Sequence, residues 1–276
     1  MLLASLNMME LFKYILGDYR LNIKVLVATH KDYKMPKDEV YLPVFVGNAI
    51  HPDNNPGFQG DDDGDNMSLK NKNYNELTAI YWAWKNLNAD AVGLVHYRRY
   101  LIDKSKNGNG FSQILSASDF ENLLTNYDVI LPKKRNYYIE SNYSHYIHAH
   151  HEEPLELTKA IIAHDYPEYL EAYEKVMDST SAHMFNMFVM KKTYFDQYSE
   201  WMFDILRKVE DKLDISEYDT YEARVYGFIS ELLLDVWIEV NQPKSIEVPF
   251  KFMENQNWLV KGGNFLKRKF SGKVHN

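Results

Sequence analysis

Residues 91–100 read AVGLVHYRRY, and how this stretch is interpreted decides the fold. Ala91 to Val95 are small or β-branched, the composition of a short strand buried on both faces of a sheet. The run stops in His96, Tyr97 and two adjacent arginines, Arg98 and Arg99. In open α/β sheets, ligands bind beyond the carboxyl ends of the strands, and paired guanidinium groups there have the chemistry to grip an anion. The plainer alternative is that the arginines open a solvated loop, or pair with Asp61 or Asp65.

Outward from this strand, IKVLVAT (23–29) reads as a first core strand and VYLPVFVG, from Val40, as a second. YDVILP from Tyr127 and HMFNMFVMKK from His183 read as later strands. Helical spacing covers ELTAIYWAWKNL (76–87), 194–209 and 221–240, and two more helices start near Pro154 and Pro167, where proline fits the first turn. SDFE at Ser118 has the Ser-x-x-Glu form of a capping box. Strands separated by helices predict an α/β fold with a mostly parallel sheet flanked by helices. Residues 51–75, HPDNNPGFQGDDDGDNMSLKNKNYN, are polar and aperiodic, a long loop of the kind that serves as a lid.

The 276-residue chain is 45% apolar and carries a net charge of -8, so electrostatic binding of nucleic acid is not expected and any basic function must be local. It has no cysteine, which removes disulfides and thiolate chemistry and fits a reducing cytoplasm. No apolar run reaches the roughly 20 residues that span a bilayer. Three regions are expected: an N-terminal helical extension over 1–22, the main domain over 23–253, and a basic amphipathic tail over 254–276. The extension lacks the basic start and cleavage site of a secretory signal. In the tail Lys261, Lys267, Arg268, Lys269 and Lys273 interleave with apolar residues, a pattern suited to the inner, anionic face of a membrane.

The motifs narrow the chemistry. DDDGDN (61–66) lacks the glycine and glutamate positions of a calcium loop. Its Asp61, Asp65 and Asn66 offer oxygens suited to the hydroxyl groups of a sugar, with a solvated acidic turn as the alternative. HAHHEE (148–153) has the residue types of a metal site, although adjacent His150 and His151 point apart on any regular element. The nucleophile elbow, the phosphate-cradling lysine loop and the dinucleotide glycine fingerprint are all missing. Cations at a strand end beside a polyol-suited loop point to a phosphorylated sugar or a sugar nucleotide. A metal-dependent hydrolase or phosphoesterase using HAHHEE, and a non-catalytic sugar-binding module, remain the alternatives.

Six blocks, KVLVATHKDYKMP, GDDDGDNMSLKNKNYNELTAIYWAWKN, VGLVHYRRYL, DVILPKK, FNMFVMKK and RVYGFISELLLDVWI, occur in the order found in a bacterial family first catalogued as a domain of unknown function. The chain resembles this DUF4422-type family, whose members accompany capsule, exopolysaccharide and O-antigen enzymes and are taken to be glycosyltransferases. The resemblance covers about residues 23–253. It implies a GT-A-like, Rossmann-type sheet that binds a nucleotide sugar at its strand ends, in an enzyme of the cytoplasm or its membrane face. Thr29, His30 and Lys31 would meet the nucleotide. His96, Tyr97 and Asn186 would join Asp61, Asp65 and Asn66 in binding the donor.

Many enzymes of this fold carry an Asp-x-Asp metal motif where this chain has HYRR, so no metal ligand is assigned and a role for Mn or Mg is left open. Arg98 and Arg99 would instead stabilise the charge released on the UDP leaving group, with Lys31 and His96 beside them. Asp219 and Glu222 are the implied candidates for deprotonating the acceptor hydroxyl. The implied donor is UDP-galactofuranose, then UDP-galactose or UDP-glucose, and the implied acceptor is a saccharide, lipid-linked in polysaccharide synthesis.

Overall fold

The computed structural model describes residues 20–254. Nearly all of the extension expected over 1–22, and the tail beyond Glu254, lie outside the described residues. The strands are β1 (Ile23–Thr29), β2 (Tyr41–Phe45), β3 (Gln59–Gly60), β4 (Ala91–His96), β5 (Arg99–Leu101), β6 (Val129–Pro132), β7 (Arg135–Asn136), β8 (Ser181–Ala182), β9 (Phe188–Lys191), β10 (Ser245–Val248) and β11 (Phe250–Phe252). The helices are α1 (Asn71–Tyr74), α2 (Leu77–Asn86), α3 (Ala117–Asn126), α4 (Asn142–Ile147), α5 (Glu153–Asp165), α6 (Leu170–Asp178), α7 (Lys192–Glu210) and α8 (Val225–Asn241). Among the described residues no helix is long and apolar enough to cross a membrane.

The main sheet runs β10-β6-β9-β4-β1-β2-β3. Neighbours pair parallel except at β9, which is antiparallel to both β4 and β6. The continuous apolar runs follow from burial on both faces. Leu26 and Ala28 of β1 and Val92 and Leu94 of β4 join one core, which includes Phe195, Tyr198 and Met202 of α7 and Ile229, Leu233 and Trp237 of α8. Val25, Val27, Ala91 and Val95 face a second core, with Phe120 and Leu124 of α3 and Tyr100 to Ile102. The mixed α/β architecture with a mostly parallel central sheet is the one the sequence predicts.

Three local expectations are corrected. The capping box belongs to Ser116 rather than Ser118: Ser116 Oγ accepts from the Asp119 amide while the Asp119 carboxylate accepts from the Ser116 amide. The strand expected from His183 begins only at Phe188, because Phe185 and Asn186 turn the chain with φ of 75° and 52°. The stretch 51–75 is organised by short 3-10 turns, β3 and α1 rather than being open loop. Asp61 organises it. That side chain is fully buried, accepts from the Gly47 and Asn48 amides at 2.8 and 3.0 Å, and is also bonded by the Ser68 and Thr78 hydroxyls.

The junction between β4 and β9 depends on Gly93. A Cβ there would lie 2.5 Å from Val189 Cγ2 and 2.6 Å from the Phe188 carbonyl oxygen, closer than atoms in contact allow. Because these neighbours are in the sheet itself, the strands must part to admit a methyl group. Gly93→Ala is therefore expected to lower stability by about 1–3 kcal/mol, the usual range for overpacking a tight interior. Urea unfolding at an unchanged m value measures it, and a wild-type midpoint would show that the sheet accommodates the methyl.

Candidate active site

The site is built on the turn at Phe185 and Asn186, just before β9. Non-glycine residues at positive φ cost on the order of 1–3 kcal/mol each and persist where their surroundings over-determine them. Asn75, Phe185 and Asn186 all adopt such angles, and all three meet here. Asn186 is buried. Its Nδ2 donates to Glu76 Oε1 at 2.8 Å and to the Gly227 carbonyl at 3.3 Å, and its Oδ1 accepts from Ser230 Oγ at 3.0 Å. One side chain thus ties the start of α2 to the first turns of α8.

Phe185 uses every group it has. Its carbonyl oxygen lies 2.6 Å from His96 Nε2, which must be the protonated ring nitrogen because a carbonyl only accepts. Its amide faces the Glu231 carboxyl and opposes the rise of its pKa, and its ring lies 4.2 Å from the Arg99 guanidinium. The Phe252 ring lies 5.2 Å from the same guanidinium. Among the described residues Arg99 Nε is buried without a hydrogen-bond partner. Burial, followed by the neighbouring Arg98, lowers the pKa of Arg99, while Glu231 and Glu76 oppose the shift. Such an orphaned donor costs about 1–3 kcal/mol until an acceptor reaches it.

The paired arginines do not open a solvated loop. His96 pairs with Arg99 across a tight hairpin whose turn is Tyr97 and Arg98, so both cations stand at the carboxyl end of β4. Arg98 lies 4.9 Å from the Tyr97 ring and forms a 3.4 Å ion pair with Glu254, rather than with Asp61 or Asp65. Lys31 lies 5.2 Å from the Tyr97 ring, and the His30 ring meets Tyr97 edge-on. Thr29, buried at the end of β1, bonds the Lys31 backbone and shapes that turn.

Two more cations join them. Arg224, in the turn before α8, donates to Asn75 Oδ1 at 3.0 Å, and its charge reaches His30. Arg135 of β7 acts electrostatically on Glu231. The chain has seven arginines, Arg20, Arg98, Arg99, Arg135, Arg207, Arg224 and Arg268, and four of them converge here in a protein whose net charge is -8. Burial first, then Lys31, Arg98 and Arg224, lowers the pKa of His30. Burial likewise lowers that of His96 against the pull of Glu76, with Arg99 adding to the lowering.

The acidic groups divide by role. Glu231 is half-buried, and burial first and the Glu76 carboxylate second push its pKa up to about 7, against the Phe185 amide, Arg99 and Arg135. Glu222 accepts from His150 Nδ1 at 3.1 Å, under a ring stack of His150 on Phe228 at 4.1 Å. Asp219 is exposed and its Oδ1 accepts from the Tyr221 and Glu222 amides at 2.7 and 2.8 Å, capping the turn that leads into α8. Asp61 spends its carboxylate on the loop, as described above. Asp65 and Asn66 are carried away from the strand ends: the Asp65 backbone bonds the Asn86 side chain at the far end of α2, and Asn66 bonds Asp62 and Gly64.

The histidines of HAHHEE go to different partners. His148 faces Glu140, His150 faces Glu222 and His151 stacks on Tyr218. Among the described residues no group of three or more His, Asp or Glu side chains is arranged to hold a metal ion. Two clefts of about 430 and 440 Å³ lie elsewhere. One is between 34–38 and 106–116 and the other beside the start of β1, and neither is lined by a residue of the strand-end cluster.

Because Asn186 supplies three hydrogen bonds in a conformation that suits glycine or asparagine, its replacements separate the two contributions. Asn186→Ala is expected to destabilise the fold by about 2–4 kcal/mol, and Asn186→Gly by about 1 kcal/mol less, because glycine accepts positive φ without strain. Denaturant titration of both variants checks the order. Equal stability of the alanine variant and the wild type would remove this turn as the keystone.

Comparison with known proteins agrees with this architecture. A solved structure described as the apo form of the bifunctional glycosyltransferase WbbM matches with a TM-score of 0.78 at 33% sequence identity. The match covers 85% of this chain and 46% of that one, so the chain spans about half the length of that protein. No curated protein matches the chain. The sequence profile of a domain of unknown function, DUF4422, matches residues 24–242, a span holding the whole cluster from Thr29 to Glu231 and excluding only Phe252 and Glu254. The chain belongs to the DUF4422 family.

Proposed function

We propose that the protein is a glycosyltransferase that moves a hexose from a UDP-sugar to a hydroxyl of a saccharide acceptor. The observation that carries this reading is the set of cations at the end of β4, with Arg99 Nε buried and, among the described residues, unpartnered. Breaking the bond between the sugar and the β-phosphate leaves negative charge on the diphosphate, and fixed guanidinium groups in a shielded site stabilise that charge. Each charge-assisted hydrogen bond there contributes about 1.5–3 kcal/mol. The likeness to WbbM, described as a glycosyltransferase, supports the same chemistry.

Glu76, Asn186 and Glu231 supply oxygens and an amide beside these cations, the groups that read sugar hydroxyls. Exposed Tyr138 and Ile139 follow Arg135 on the adjoining loop and offer apolar surface to a sugar ring. Galactofuranose is the first choice of transferred sugar, with galactose or glucose second, and a lipid-linked saccharide in capsule, exopolysaccharide or O-antigen synthesis is the acceptor. A lipid-linked acceptor places the enzyme at the inner face of the membrane. The residues at the strand end do not fit a divalent cation: His96, Tyr97, Arg98 and Arg99 offer no carboxylate, and among the described residues the nearby Glu76 and Glu231 are not joined by a third ligating side chain.

A screen of UDP-sugars, scored by UDP release in the presence of a saccharide acceptor, is expected to find turnover that EDTA does not abolish. In the same assay Arg98→Ala is expected to weaken UDP affinity roughly 10-fold, the loss of one shielded ionic contact. Its melting temperature is expected to stay near the wild-type value, because a half-exposed ion pair contributes under about 1 kcal/mol. Wild-type UDP affinity and turnover in that variant would return the arginine to a solvated turn. UDP binding without transfer from any UDP-sugar would reduce the protein to a sugar-nucleotide binder.

A further inference from the structure

The acidic residues of the site are not equivalent, and their bonding singles one out. Asp219 caps the turn before α8, Glu222 is engaged by His150, and Glu76 Oε1 is engaged by Asn186. Glu231 lies on the second turn of α8, one residue after the serine that holds Asn186. It follows Gly227, whose carbonyl accepts from Asn186, by one helical turn; its carboxylate faces the Phe185 amide, and among the described residues no side-chain donor bonds it, so acceptor positions remain for a ligand. The charged groups that act on it are Glu76 at the start of α2, Arg99 of β5 and Arg135 of β7; the Tyr137 phenol beyond β7 is also within its reach, and His96 bonds the Phe185 carbonyl. It therefore sits within electrostatic reach of the cation that faces the leaving group.

We infer that Glu231 is the general base of the reaction, the residue that takes the proton of the acceptor hydroxyl; this rests on the transferase reading above. The acceptor O–H proton passes to the Glu231 carboxylate as the acceptor oxygen forms its bond to the sugar's C1. The bond from C1 to the β-phosphate oxygen breaks, and its electron pair leaves with UDP, where Arg98 and Arg99 meet the charge. Glu231 returns its proton to water once the product has left. Attack in line with the departing diphosphate inverts the configuration at C1. Glu76 is a positioning residue in this scheme, holding Asn186 and setting the field at Glu231.

A carboxyl held near 7 by burial and by Glu76 is matched to this task, because a base must be both ionised and thirsty for a proton at working pH. The sign is fixed: below its pKa the group is protonated and cannot accept, so the transfer rate rises with pH through about 7 and levels off above it. The test is the single-turnover rate of hexose transfer from the UDP-sugar found in the screen, measured from pH 5 to 9, roughly two units either side of that value.

Glu231→Gln is expected to keep UDP affinity within about 2-fold while the transfer rate falls by 10²- to 10⁴-fold, roughly the share general bases supply, and to lose the rise through neutrality. Glu231→Asp is expected to retain part of the rate with the rise displaced. Three results overturn the assignment while leaving the transferase reading intact: a Gln variant within a few-fold of wild type, loss of UDP affinity in step with rate, or a product with retained configuration. A wild-type rate flat between pH 5 and 9 overturns it without any variant. Absence of transfer by the wild type from every UDP-sugar removes the transferase reading and this assignment together.

Discussion

The site hangs on two consecutive residues in the left-handed region, Phe185 and Asn186, and on the hydrogen bonds that force them there. Left alone, a chain with the sequence MFNMFV extends; the strand begins only at Phe188, after the turn has been made. Asn186 supplies the reason, since bonds to Glu76, Gly227 and Ser230 hold its side chain between two helices and leave the backbone no extended alternative. The bent segment then presents the Phe185 carbonyl to His96, the Phe185 amide to Glu231 and the Phe185 ring to Arg99. Strain of this kind concentrates where a protein must hold reactive groups in one geometry. Here it joins the hairpin after β4, the start of α2 and the second turn of α8.

The second constraint is electrostatic. Carboxylates outnumber cations over the whole chain, yet Arg98, Arg99, Arg135 and Arg224 gather in one place with two histidines whose pKa values are lowered. Like charges brought together without full neutralisation destabilise the empty protein and favour an anion that joins them. Arginine suits this arrangement better than lysine because a planar guanidinium stacks on an aromatic ring while keeping its donors at the edge, as Arg99 does against Phe185. The same field opposes, without cancelling, the effect of burial and Glu76 on Glu231.

The layer architecture was legible because strands buried on both faces leave unbroken apolar runs, as in IKVLVAT and AVGLV, and the helices between them keep their spacing. The paired arginines were legible because so abrupt a change of polarity at a strand end has few structural uses. The antiparallel insertion of β9 was not, since strand direction leaves no trace in a short apolar segment. Asp65 and Asn66 look like sugar ligands in sequence, but the loop runs along α2 and takes them to its far end. Glu231 was overlooked. Its signal was there, an acid standing in the apolar helix GFISELLLDVW, where burial of an unpaired carboxylate calls for a reason. Asp235, one turn further on, shares that signal and is explained by His183, whose amide it accepts at 2.9 Å. Arg135 and Arg224 carry no comparable mark, because only the folded chain brings β7 and the turn before α8 to β4.

The claim on which the rest turns is that the end of β4 receives the diphosphate of a sugar nucleotide. A crystal structure with bound UDP tests it most directly. The diphosphate oxygens are expected within hydrogen-bond distance of Arg98 and Arg99, with the contact of Arg98 to Glu254 released and Arg99 Nε bonded to the ligand. A diphosphate seated in the cleft between 34–38 and 106–116, with both arginines still on Glu254 and Phe185, would contradict it.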